Sequence, residues 1–167
     1  YECYTVYEMA VGLTTTDNSD TWSELYKVIN ESNTFLANLA EAKSIAGTSY
    51  DQYVSEAKFL RALSYYYLNT LYAYPYSIDK NAKSVPLRLV AESSTTDNNL
   101  ARATVSEVYN QILNDLSEDN IAALPNVGNT YDGVTRVSQA AARVLKQRIY
   151  MEEEDWNDAI TQGEEIT

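Results

Sequence analysis

The sequence predicts an all-α protein built from antiparallel helix pairs, and three observations carry that prediction. Turn formers are scarce: five glycines and three prolines in 167 residues leave little room for a many-stranded sheet. Three segments open with a Ser/Thr-x-x-Glu/Gln capping box, a helix-start signature. After these openings, apolar residues recur at three- and four-residue spacing, the stripe of an amphipathic helix.

The first helix is predicted from Thr21-Trp-Ser-Glu24, where the threonine hydroxyl takes a free backbone N–H and Glu24 reaches back. Trp22, Leu25, Tyr26, Ile29, Leu36, Leu39 and Ala40 form its stripe. Asn33 shares that stripe. A buried asparagine must be hydrogen-bonded, so it is expected to tie a neighbouring turn or helix end to this helix. The stop is expected near Gly47. Upstream, YTVYEMAVGL reads equally as a helical turn or two or as extended chain, and TTTDNSD reads as a loop.

The second helix is predicted from Ser49-Tyr-Asp-Gln52 to about Tyr74, where Pro75 stops it. Its main face comprises Ala57, Leu60, Leu63, Ser64, Tyr67, Leu68 and Leu71. Tyr65 and Tyr72 fall at the rim of that face, and Phe59 and Tyr66 on a second side. The helix is therefore expected at the centre of a stacked array, gripped from two or more sides. Glu56 and Arg61 fall at opposite edges of the apolar arc. Charges there must be paired, and they are expected to clamp a neighbouring helix or loop end. Residues 75–101 read as a long surface connection with a short extended piece at Val85–Val90.

The third helix is predicted from Thr104-Val-Ser-Glu107, with Val105, Val108, Tyr109, Ile112 and Leu116 on its stripe. NVGNTYDGV reads as a loop. The fourth helix runs from about Ser138 to Met151 or Glu152. Its three alanines, Ala140 to Ala142, permit close helix approach. Asp155 caps a fifth helix carrying Trp156, Ala159, Ile160 and Gly163 on one side. Trp22 and Trp156 both lie on apolar stripes and are expected in the core.

Composition excludes several functions. A net charge of −12 repels phosphates and disfavours nucleic acid. The absence of histidine removes histidine catalysis and histidine metal ligands. The single cysteine, Cys3, rules out an intrachain disulfide. Tyr1 and Glu2 before it do not form a lipobox, so it is not read as a lipid anchor. No apolar run approaches the ~20 residues of a membrane span. The first residues lack the basic start and apolar centre of a signal peptide. The carboxylate pairs Glu152/Glu154 and Asp155/Asp158 read as solvated helix ends. No calcium-loop spacing, activated nucleophile or phosphate-binding glycine loop is visible. No catalytic residue, metal site or cofactor is therefore predicted.

Aromatic residues beside polar ones remain. Sugars stack apolar C–H faces on flat rings, while their hydroxyls need Asn, Asp or Arg. Tyr74 and Tyr76, next to Asp79 and Asn81, are candidate ligand contacts. So are Asn18 and Asp20 in the TTTDNSD loop beside Trp22. The alternative for Tyr74 and Tyr76 is closure over the helix end.

Four motifs in order carry a family resemblance. SEAKFLRALSYYYLNTLYAYPYSIDKNAKSVPL resembles the E-A-x-F-L-R-A-x-x-Y-x-x-L-x-x-x-Y…P-L segment of the SusD/RagB-like family. WSELYKVINESNTFLANL, RATVSEVYNQILNDLSEDNIAALP and TRVSQAAARVLKQRIYMEEEDWNDAI are similar to its other helices. The likeness covers about residues 21–167. It departs at Glu152 to Glu154, where the family often has a short glycine turn. The resemblance implies a tetratricopeptide-like platform, here a single α-helical domain and the N-terminal part of a longer outer-membrane, lipid-anchored protein. It implies no enzyme activity. It implies oligosaccharide binding, mainly through a C-terminal half, and a SusC-like TonB-dependent transporter as partner. The other reading of the chain is a helical-repeat scaffold that binds protein, with no glycan role.

Overall fold

The computed structural model describes residues 16–94, 99–126 and 136–166. The elements are α1 (Thr16–Glu41), a short α2 (Lys43–Ala46) with a 3₁₀ turn (Gly47–Ser49), α3 (Tyr50–Tyr72), α4 (Tyr76–Asp79), β1 (Lys83–Pro86), β2 (Arg102–Thr104), α5 (Val105–Asp115), α6 (Glu118–Ala122), α7 (Gln139–Glu152) and α8 (Trp156–Glu164). The protein is all-α, as the sequence predicts. The expectations for residues 1–15, Cys3 and most of NVGNTYDGV lie outside the described residues.

Of the three capping boxes, one forms. The Thr104 hydroxyl accepts the Glu107 N–H at 3.2 Å, and Glu107 accepts the Thr104 N–H at 2.7 Å. The other two do not, for geometric reasons. A cap needs an extended residue ahead of unpaired N–H groups. Helix α1 already turns at Thr16, so Thr21 sits inside it and the described part of TTTDNSD, from Thr16 to Asp20, is helical. Ser49 has helical dihedrals (φ −88°, ψ −1°) and its side chain caps nothing. Ser138 caps α7 through the Ala141 N–H at 3.2 Å, and Asp155 caps α8 through the Asp158 N–H at 3.3 Å.

The helices stack in the order α1, α3, α5, α7, α8. Each of the first two steps is antiparallel. The Tyr72 hydroxyl, at the end of α3, donates to the Asn18 carbonyl at the start of α1 at 2.6 Å. On the other side of α3, Arg61 meets Asp115 at the end of α5, and Asn69 meets Tyr109 near its middle. Helix α3 is thus gripped from two sides, as expected.

Its buried face, however, is rotated from the predicted one. Tyr65 is fully buried, whereas Tyr67 is 46% exposed and Leu71 is exposed too. The buried face runs through Ser55, Ala57, Arg61, Ala62, Ser64, Tyr65, Leu68 and Asn69, so it is half polar, and it keeps Ala57, Ser64 and Leu68 of the predicted face. A wheel drawn on hydrophobicity alone misplaces such a face, because paired polar groups can be buried. Leu60, displaced outward, lines an open apolar groove with Phe35, Leu39 and Ile45, bounded by α1, α2 and α3.

The connection after α3 is also more than a surface loop. Strand β1 pairs antiparallel with β2, with Lys83 opposite Thr104 and Pro86 opposite Arg102. Ser84 and Val85 are fully buried against α3 and α5. The Ser84 hydroxyl bonds to the Asn69 side chain.

Candidate ligand cleft

A buried polar frame holds the helices that carry the cleft. Arg61 donates to Asp115 through Nε at 2.8 Å and Nη2 at 2.6 Å, and through Nη1 to Asn33 Oδ1 at 2.7 Å. Asn33 in turn donates to the Arg88 and Val90 carbonyls at 3.0 and 3.3 Å. It therefore ties the connection to α1, the role expected for it. Glu56 accepts two bonds from Arg136, at 3.0 and 2.6 Å, and so clamps the segment leading into α7. Glu56 and Arg61 are thus each held in an ion pair to a distant segment of the chain.

Beyond the C-terminal end of α3 lies a cleft of about 330 Å³. Pro75 ends the helix and turns the chain through α4, which sets Tyr74 and Tyr76 on its wall. Tyr74 is 63% exposed. Tyr76 is half-buried and its ring tilts against Tyr109 at 5.1 Å. Tyr109 is buried. The wall also includes Met151 and Glu152 from the end of α7, Glu154 from the turn after it and Trp156 from the start of α8. Glu152 accepts the Tyr66 hydroxyl at 2.9 Å and also the Tyr109 hydroxyl. Burial, then these contacts to Glu152, push the Tyr109 hydroxyl far above its ordinary pKa, so it remains a donor. Burial raises the Glu153 carboxyl, and the neighbouring Asp155 charge adds to the shift.

The turn itself has a specific form. The Asp155 N–H bonds to the Tyr150 carbonyl at 2.9 Å and the Glu154 N–H to the Met151 carbonyl at 3.2 Å. Those two bonds are the Schellman pattern, with Glu154 in the left-handed position at φ 62°. Here a glutamate occupies the place that a glycine usually takes.

Trp156 corrects an expectation. It lies on the apolar stripe of α8 but is 57% exposed, on the cleft wall and not in the core. The stripe was legible; which neighbour covers it was not. Trp22 is half-buried, packed against Tyr26 and Tyr72 with ring centroids 5.0 and 4.9 Å away.

Asn18 and Asp20 are not brought to the Tyr74 cleft. They sit in the first turns of α1, where Asn18 uses its backbone carbonyl to hold Tyr72 and Asp20 is exposed. Trp22 instead borders a second, more open and polar hollow with Tyr26, Asn30, Arg88 and Glu92. Asn30 is engaged there, since it exchanges bonds of 3.1 and 2.8 Å with the Glu92 backbone.

Chemically, the Tyr74 cleft offers flat rings and acceptor oxygens. Among the described residues no group of three His, Cys, Asp or Glu side chains is placed to hold a metal ion, and no helix is long and apolar enough to cross a membrane. Tyr109 and Glu152 are parts of the wall that no local signal in the sequence marks. Both lie on helices predicted from their stripes, and only the packing of α5 on α7 brings them together.

Comparison with known proteins gives a consistent picture. Residues 2–151 match a SusD-like family described as starch-binding and associating with the outer membrane. A SusD-like protein P25 from Formosa agariphila is 26% identical over 150 residues, 89% of this chain and 26% of that protein. The crystal structure of a SusD superfamily protein from Bacteroides fragilis superposes with a TM-score of 0.95 at 53% identity, over 99% of this chain and 38% of that one. A laminarin-binding SusD-like protein superposes with a TM-score of 0.76 at 25% identity, over 95% of this chain and 31% of that one. The chain thus spans between a quarter and two fifths of the length of these relatives.

Proposed function

This chain belongs to the SusD-like family of outer-membrane-associated starch-binding proteins, and from that premise we propose that it is part of a non-enzymatic glycan-binding protein of the cell surface. The match over residues 2–151 carries the proposal. The laminarin-binding relative adds a substrate class, a neutral glucan. The helical array supplies a rigid base, and Tyr74 and Tyr76 supply rings at its edge. Captured oligosaccharide passes to a TonB-dependent transporter of the SusC type, and a lipid anchor holds the whole protein to the membrane. Much of the affinity comes from parts of the whole protein beyond this helical domain.

Calorimetric titration of the full chain with laminari- and malto-oligosaccharides tests the reading. Saturable binding is expected, with the oligosaccharides recovered at their original length. Shortened products, or no binding to either series, would refute it. Co-purification of the tagged protein from outer membranes without a transporter would count against the partner.

A further inference from the structure

Trp156 is an exposed indole in a concave wall. It is 57% exposed at the first position of α8, and it shares the cleft with Tyr74, which is 63% exposed. Isolated exposed aromatics are ordinary; two facing one cavity of about 330 Å³ are the usual make-up of a small-ligand site. The floor is set: Tyr109 is buried, its hydroxyl is taken by Glu152, and Tyr76 leans on its ring. The rim is charged in one sense. Glu152 and Glu154 line the cleft, and among the described residues no lysine or arginine does. Lys80 and Arg148 are not among its lining residues: the Lys80 charge acts at Glu153 and the Arg148 charge at Tyr66.

That combination selects a ligand chemistry. Flat rings take the C–H face of a pyranose. Carboxylates accept hydrogen bonds from its hydroxyls, which are donors. A uronate or sulfated sugar would instead bring a negative charge against two carboxylates with no cation in the wall.

We propose that Trp156 and Tyr74 form a stacking subsite for one neutral pyranose ring, and that Glu152 and Glu154 exclude acidic sugars from it. The proposal rests on the glycan-binding reading above and deepens it.

The test titrates the full chain with laminarihexaose and, in parallel, with an oligogalacturonate of equal length, following calorimetry and tryptophan fluorescence. The native protein is expected to bind the first and not the second. Trp156→Ala is expected to weaken laminarihexaose binding by about tenfold or more, and Trp156→Phe to restore part of it. Glu154→Lys is expected to admit the oligogalacturonate. Native circular dichroism and melting temperature establish that each variant is folded. A folded Trp156→Ala protein that binds laminarihexaose as tightly as the native one overturns the subsite and leaves the glycan reading standing. A Trp156→Ala protein that melts well below the native one with glycan affinity unchanged also overturns it, since the indole would then be covered by protein. A native protein that binds neither sugar overturns the glycan reading and the subsite together.

Discussion

Arg61 and Asp115 form a two-pronged ion pair across the interface between α3 and α5, with N–O distances of 2.8 and 2.6 Å and Asp115 only 1% exposed. The same guanidinium reaches Asn33 of α1, so one side chain joins three helices. Three helices depend on it, and the cost of breaking it depends on what is left behind. Asp115→Ala strands a buried cation and is expected to cost about 3–5 kcal/mol. Arg61→Met with Asp115→Leu removes both charges and is expected to cost clearly less. Urea denaturation midpoints check both. A single variant no less stable than the double would refute the account.

Tyr65 and Tyr67 are expected to behave in opposite ways. The Tyr65 hydroxyl donates to the Arg88 carbonyl at 2.8 Å and accepts the Arg88 N–H at 2.6 Å, out of water. Burial pushes that hydroxyl up to about 12, so it stays protonated across the working range. Tyr65→Phe removes both bonds, leaving the Arg88 carbonyl to Asn33 Nδ2 at 3.0 Å, and is expected to lose about 1–3 kcal/mol. Tyr67→Phe, on the exposed side, is expected to change stability by less than about 0.5 kcal/mol. Paired thermal melts decide; equal losses would place the two tyrosines on equivalent faces.

Glu154→Gly is expected to stabilise the protein. The Schellman turn requires a left-handed residue at that position, where a Cβ costs about 1 kcal/mol and glycine costs nothing sterically. Glycine's greater freedom in the unfolded chain offsets part of the gain, leaving roughly 0.5 kcal/mol. A lower denaturation midpoint would show that the glutamate side chain contributes more than its backbone strain costs.

Two glutamates are expected to respond to acid with opposite sign. Burial pushes the Glu118 carboxyl up, but Lys146, at 2.6 Å, and Arg143 outweigh it and leave its pKa lowered. Its folded pKa lies below the unfolded value. Its stabilisation is therefore present above the unfolded pKa and is lost as pH falls through the folded one. The group is about half exposed, so Glu118→Gln is expected to cost about 0.2–1 kcal/mol at neutral pH and little in acid. Glu153 is the reverse case, raised by burial and then by Asp155. Its penalty on the folded state is present above its folded pKa and fades as pH falls through that value to the unfolded one. Glu153→Gln is expected to raise the melting temperature at pH 7, and the gain is expected to shrink towards pH 4. Melting curves across pH 3–8 check both signs.

Much of this was legible because it is local. The Thr104 box, the Ser138 and Asp155 caps and the Pro75 stop each depend on residues within one turn, and each appears where the pattern places it. The clamps of Arg61 and Asn33, which are buried, and of Glu56, which is partly buried, were legible for a different reason: a polar group on an apolar arc needs a partner where it leaves water. Their partners Asp115, Arg136 and the Arg88 carbonyl, 54, 80 and 55 residues away, were not.

The sequence by itself determined the fold class, the order of the helices and the residues that resemble the family, because helical periodicity and capping are short-range properties. Tertiary structure decided which face of each helix is buried, since that depends on the partner and not on the stripe. It put Tyr65 inward and Tyr67 outward, drew Ser84 and Val85 from an apparent surface loop into the core, and left Trp156 in the open beside Tyr74. It also separated Asn18 and Asp20 from the Tyr74 cleft, by continuing a helix through residues whose composition reads as a loop. There, contacts from distant parts of the chain, such as the Tyr72 hydroxyl on the Asn18 carbonyl, outweigh a local propensity worth a fraction of a kcal/mol per residue, about 0.7 at most.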